Sequence, residues 1–122
     1  MNVTYSENDA TKTAEIVVDG HVRSEEFDQI APRMQAFIDR HGTIRLIEII
    51  NKMDGFDPSL MWKGAKFDFK NLRHISHCAV VSDIGWMSPM TKAAGAFMST
   101  NLRTFDLDEL DEARAWIASP KG

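Results

Sequence analysis

Seven consecutive residues, Ile44-Arg45-Leu46-Ile47-Glu48-Ile49-Ile50, constrain this chain more than any other stretch of it. The run is too short for a self-sufficient helix and rich in β-branched side chains, so it predicts a buried central strand. Upstream, Val3-Thr4-Tyr5 and Ala14-Glu15-Ile16-Val17-Val18 are separated by the turn-favouring cluster Glu7-Asn8-Asp9 and predict two hairpin-related strands. After Asp19-Gly20, Ser24 is expected to cap a helix. Phe27, Ile30, Ala31, Met34, Phe37 and Ile38 then recur at three- and four-residue spacing as far as Gly42. Pro32 falls inside that helix, where it removes one donor and is expected to bend the first turns.

Downstream, Asp54-Gly55-Phe56-Asp57-Pro58 predicts a turn leading into a helix from near Pro58. Cys78-Ala79-Val80-Val81 predicts a short apolar strand, Ser88 to Met98 a further helix, and Leu102-Arg103-Thr104-Phe105 a last strand. Asp106 then stands three residues before Glu109, as in a capping box, and Leu107, Leu110, Ala113, Trp116 and Ile117 form the apolar stripe of a terminal helix. Strands alternating with helices in this order predict an α/β fold, a mixed sheet with crossover helices on one face or unevenly on two. The 122 residues suit a single domain over 1–122, without repeat or linker.

An apolar fraction of 43% with 26% charged residues is that of a folded soluble protein. The lone Cys78 has no partner for an intramolecular disulfide, and the first residues carry no basic-then-apolar leader, so a reducing cytoplasm is expected. The net charge of −4 argues against a nucleic-acid partner. It is concentrated between Asp106 and Trp116, where five carboxylates face Arg114 alone.

The motifs Val18-Asp19-Gly20, Glu25-Glu26-Phe27, Pro32 and His41-Gly42-Thr43-Ile44-Arg45-Leu46 resemble the first half of the SpoIIAA-like family, within the STAS and SEC14-related proteins. His77-Cys78-Ala79-Val80-Val81-Ser82-Asp83 with Trp86, and Leu102-Arg103-Thr104-Phe105-Asp106 with Ala113-Arg114-Ala115-Trp116-Ile117, are similar to the second half. The resemblance implies a sheet of about five strands with about four helices packed on it. It also implies non-catalytic binding, of apolar ligands or of membrane surfaces.

The stretch from Phe56 to Leu72 carries more apolar surface than one packing face needs. Phe56, Leu60, Met61, Trp62 and Phe67 alternate with Lys63 and Lys66, and at about 100° per residue the apolar positions wrap more than one face. Spare apolar surface covers a ligand cavity or meets a lipid or protein partner, a homodimer included. Trp62 beside lysines suits a headgroup boundary, where ammonium groups snorkel. Trp86, Met87, Met90 and Phe97 add an adaptable Met-rich face to the next helix. Together they predict a movable cover, hinged near Gly55 and Gly64, over a cleft for an apolar small molecule or lipid, on a protein cytoplasmic or peripheral to the inner face of a membrane. An ordinary buried helix is the plain alternative.

Ser59 sits near the start of the helix after the central strand, where SpoIIAA and the anti-sigma-factor antagonists that resemble it carry a phosphorylatable serine. That position implies an alternative role as a regulatory interaction module. The family's Asp-Ser-x-Gly pattern is absent around it. His74, His77 and Cys78 could ligate a metal only if their side chains converged, and neighbours on a strand diverge. No phosphate loop, nucleophile elbow or zinc-protease motif occurs. The expectation is therefore no catalytic residue, no metal and no cofactor.

Overall fold

The computed structural model describes residues 3–56, 74–83 and 101–119, with the backbone alone at 53–56 and Leu102. Among the described residues, five strands form one mixed sheet in chain order: β1 (Val3–Asn8), β2 (Thr13–Val22), β3 (Ile44–Phe56), β4 (Ile75–Ser82) and β5 (Asn101–Phe105). β1 and β2 are antiparallel, while β2, β3, β4 and β5 pair in parallel, which requires a crossover before each of β3, β4 and β5. Helix α1 (Ser24–His41) makes the first crossover, and α2 (Leu110–Ala118) closes the described chain after a 3-10 turn over Leu107–Glu109. The two further helices expected from near Pro58 and from Ser88 lie outside the described residues.

The Ile44–Ile50 run sits in the middle strand of the sheet, as its composition requires. Its side chains alternate between two cores. Ile44, Leu46 and Ile50 join Val3, Ala14, Val18, Cys78 and Val80 under Ile30, Met34, Phe37 and Ile38 of α1. Ile47 and Ile49 join Ala79, Val81 and Phe105 under Ala113 and Ile117 of α2. Burial of both faces explains why five of the seven residues in the run are apolar, rather than every second one.

Several boundaries differ from the expectation. Asp54 and Gly55 do not turn: β3 runs on to Phe56 because β2 also continues, to Val22, and pairs with it through two register shifts near Asp19 and Gly20. Long-range pairing here overrides a local turn preference. Ser24 is the first helical residue and Arg23 the N-cap, and Pro32 is accommodated within a single helix assignment from Ser24 to His41. The core-facing stripe of α1 contains Glu26, 7% exposed, while Phe27 is only half-buried. Gly42 ends the helix as expected, with φ of 79° and its N–H bonded to the Ile38 carbonyl.

Candidate functional site

Parallel strands give a sheet two unlike ends. At the carboxyl end, β3 stops at Phe56 and β4 at Ser82, so the chain enters residues 57–73 and 84–100 from the edge where open α/β sheets ordinarily take ligands. Of the residues expected to bind, Phe56 is placed by its backbone as the last residue of β3. Leu60, Met61, Trp62, Lys63, Lys66, Phe67, Trp86, Met87, Met90 and Phe97, and the phosphorylation candidate Ser59, lie outside the described residues.

Several described carboxyl groups stand near this edge. Glu26 occupies the first turn of α1, which directly follows β2, and its Oε2 is buried without a hydrogen-bond partner. Few buried polar atoms are left so, because the lost hydration is not replaced. Asp83, just beyond β4, accepts the Leu107 N–H at 2.9 Å and so ties the end of β4 to the chain after β5. Beside it, Asp106, Asp108 and Glu109 bring carboxylate oxygens within 4.8 Å of one another. Their role in helix initiation accounts for this: Glu109 Oε1 accepts the Asp106 N–H at 2.8 Å, and acids in a first turn face the positive end of the helix dipole. The negative charge of Glu109, then burial, then the charges of Asp108 and Asp83 push the Asp106 carboxyl above its usual range.

The amino end of the sheet is held by polar contacts. Asp9, in the β1–β2 turn, accepts from Arg40 at 2.7 Å and lies 2.8 Å from His41 Nε2, both in the last turn of α1. The hydrogen bond with His41, reinforced by that from Arg40, holds the Asp9 carboxyl below the usual range. Arg45 Nη1 donates to the carbonyls of Ile117 and Ala118 at 2.8 and 3.1 Å, which satisfies the free end of α2. Between β1, β2 and that pinned helix end lies a cleft of about 420 Å³, lined by Ser6, Asn8, Thr11, Glu15 and Arg114 over Ile47 and Ile117. Arg114 donates to Glu15 at 2.7 Å across its wall. The guanidinium is half exposed, so the pair is worth about 0–1 kcal/mol.

The residues weighed for metal or nucleophile chemistry are dispersed. Cys78 is buried in the α1 core, whereas His77 packs edge-on against Trp116 on the α2 face, with ring centroids 5.5 Å apart. His74 Nδ1 lies 3.1 Å from the Gly42 carbonyl. Among the described residues no helix is long and apolar enough to cross a membrane.

A family model described as SpoIIAA-like matches residues 13–118, from the first residue of β2 to the last of α2. The chain belongs to the SpoIIAA-like family. A crystal structure of an uncharacterized protein of the DUF3478 family with a SpoIIAA-like fold, from Shewanella loihica PV-4, shares it with a TM-score of 0.75. That match covers 94% of this chain and 91% of the other at 16% identity, a likeness of fold alone. No curated protein matches the chain.

In this SpoIIAA-like chain the most recognisable residues are structural. Phe105 and Ala113 are buried in the α2 core. Trp116 lies over His77 and Phe105, and the Arg103 guanidinium stacks 4.9 Å from the Phe105 ring and 5.4 Å from that of Trp116. The cleft at the amino end went unforeseen, because its walls come from residues 99 positions apart, Glu15 and Arg114, with no local motif. The one available signal was a charged residue, Glu15, inside the predicted second strand.

Proposed function

We propose that this SpoIIAA-like chain is a non-catalytic binding protein for apolar, lipid-like ligands, and that it docks on a membrane surface from the cytoplasmic side through residues 56–72. One observation carries the reading: a stretch with Phe56, Leu60, Met61, Trp62 and Phe67 interleaved with Lys63 and Lys66 leaves the sheet at the carboxyl end of its central strand. That end is the usual ligand edge of such sheets, and an aromatic-plus-lysine composition suits a headgroup boundary. The second connection, with Trp86, Met87, Met90 and Phe97, leaves from the same edge and would supply the other wall of the site. The dispersal of Cys78 and His77 to opposite faces supports a role without covalent chemistry.

Co-sedimentation with anionic vesicles tests this. The native chain should pellet with vesicles, and Trp62→Ala or Lys66→Glu should each release it at unchanged thermal stability. Native protein that stays in the supernatant at low salt, or variants that bind as well as the parent, would refute it.

One observation favours a second reading, a regulatory module of the anti-sigma-antagonist type. The fold is SpoIIAA-like, and Ser59 follows the end of the central strand by three residues. A phosphate there would add charge and acceptors able to repel or recruit a partner. A partner protein whose binding is lost in Ser59→Glu but kept in Ser59→Ala would support this role.

A further inference from the structure

Two glutamates of this chain stand at the third position after a helical N-cap, and they behave differently. Glu109 folds back and accepts the N–H of its N-cap, Asp106, at 2.8 Å, the usual task of an acid there. Glu26 holds the same position after Arg23 and makes no such bond among the described residues. Its Oε2 is buried without a hydrogen-bond partner, and the residue is 7% exposed. Glu26 joins the core-facing stripe of α1 instead, one turn ahead of Ile30 and two ahead of Met34. The helix runs back from the end of β2 towards the start of β3, so a residue one turn ahead of Ile30 lies about 6 Å nearer the carboxyl end of the sheet. The core of Val18, Ile30 and Ile50 therefore closes, at the edge where β2 ends at Val22, on a carboxyl group with an open acceptor position. Backbone support is thin there: the N–H groups of Glu26 and Phe27 both reach only the Arg23 carbonyl, at 3.1 and 3.5 Å.

An open acceptor selects what can satisfy it. Helix capping leaves Oε2 unused, and its lost hydration is not replaced by the protein. A hydroxyl head donates to this oxygen and brings no charge of its own. An ether head offers only an acceptor and leaves the oxygen as it was. A fatty carboxylate sets a second carboxyl group against the first, and two carboxylates in contact cannot both stay ionised. We propose that Glu26 is the hydrogen-bond acceptor for the hydroxyl head of a single-chain lipid alcohol, a fatty alcohol or a monoacylglycerol, at the carboxyl end of the sheet. This rests on the apolar-ligand reading above and adds the head-group class to it. Glu26 reaches the ligand from a terminal helical turn, by rotation about its own side-chain bonds, so the core beneath Ile30 stays closed.

Isothermal titration calorimetry of the full chain with 1-decanol, 1-methoxydecane and decanoate tests the proposal. The three share a long apolar tail and differ in the head, which is a donor, a neutral group without a donor, and an anion. The native protein should bind decanol about tenfold or more tightly than either of the others. Glu26→Leu should bind decanol no more tightly than the ether, so the preference disappears while tail binding persists. Glu26→Gln keeps a hydrogen-bonding group but removes the acid, and it should bind decanol and admit decanoate as well. Two outcomes overturn this proposal and leave the apolar-ligand reading standing: equal binding of all three ligands by the native protein, or a preference for decanol that survives Glu26→Leu. Failure of all three ligands to bind the native protein overturns both.

Discussion

Replacing Glu26 by leucine should make the protein more stable, against the ordinary expectation for a substitution in a first helical turn. Glu26 is 7% exposed on the core-facing side of α1, four residues before Ile30, and its Oε2 has no hydrogen-bond partner. An orphaned buried polar atom costs about 1–3 kcal/mol. An acid in the first turn recovers part of that through the helix dipole, about 0.3–1 kcal/mol. The leucine variant gives up the second contribution and removes the first, so the two together leave a net gain of about 0.5–2 kcal/mol. For a domain of this size that corresponds to a rise in Tm of roughly 2–10 °C. Differential scanning calorimetry of Glu26→Leu and Glu26→Gln separates the contributions, because glutamine keeps a buried polar group but loses the charge. The leucine variant should melt above the native protein and the glutamine variant at or below it. A leucine variant less stable than the parent, or a glutamine variant as stable as the leucine one, would refute the account. If Glu26→Leu gains stability but weakens vesicle binding, the unpartnered oxygen serves the carboxyl-end site.

Arg45→Met keeps the length of the side chain but removes the donors to Ile117 and Ala118. It should lower stability by about 1.5–3 kcal/mol, read as a fall in the urea midpoint at constant m-value. Asp9 makes stability depend on pH. Its folded-state pKa lies below the ordinary 3.8, so the stabilising contribution is complete above that value and is lost as the pH falls through the lower, folded one. The native protein should therefore exceed Asp9→Asn in Tm at neutral pH, and the two should converge in strong acid. Molar salt should shrink the neutral-pH difference, since Asp9 is exposed.

The parts of this fold that were legible in the sequence are those fixed by local pattern. The Ile44–Ile50 run could only be a two-sided buried strand, Gly42 could end a helix where few other residues would, and the stripe of Ala113, Trp116 and Ile117 reads at helical spacing. The misread parts were decided by pairing between distant segments. Asp54-Gly55 has the composition of a turn, and only the continuation of β2 through Asp19–Val22 gives those backbone groups partners that keep the strand going. Glu26 lay beside Phe27, and helical periodicity chose the apolar neighbour, because a hydropathy pattern has no means of placing a carboxyl group in a core. The Glu15–Arg114 cleft needs the whole tertiary fold to exist, so no spacing in the chain announces it. The expected carboxyl-end site rests on composition alone, because its residues beyond Phe56 lie outside the described residues.

Residues that make the fold and residues proposed to bind can be told apart by a sharper experiment than loss of function alone. Trp116, one of the residues that carry the family resemblance, packs from α2 against His77 of β4 and against Phe105 and Arg103 of β5. Its partly buried ring packs against the core that Phe105, Ala113 and Ile117 share with β3 and β4. Trp116→Phe should therefore cost stability, about 1–2 kcal/mol for a smaller ring that covers less of Phe105 and forfeits part of the stacking with Arg103. Binding to vesicles through residues 56–72 should be unchanged once measured well below Tm. Trp62→Ala predicts the reverse pattern, with binding lost and stability kept. A Trp116→Phe protein that remains folded but no longer binds vesicles would move the membrane-facing surface onto the α2 face and displace residues 56–72 from that role.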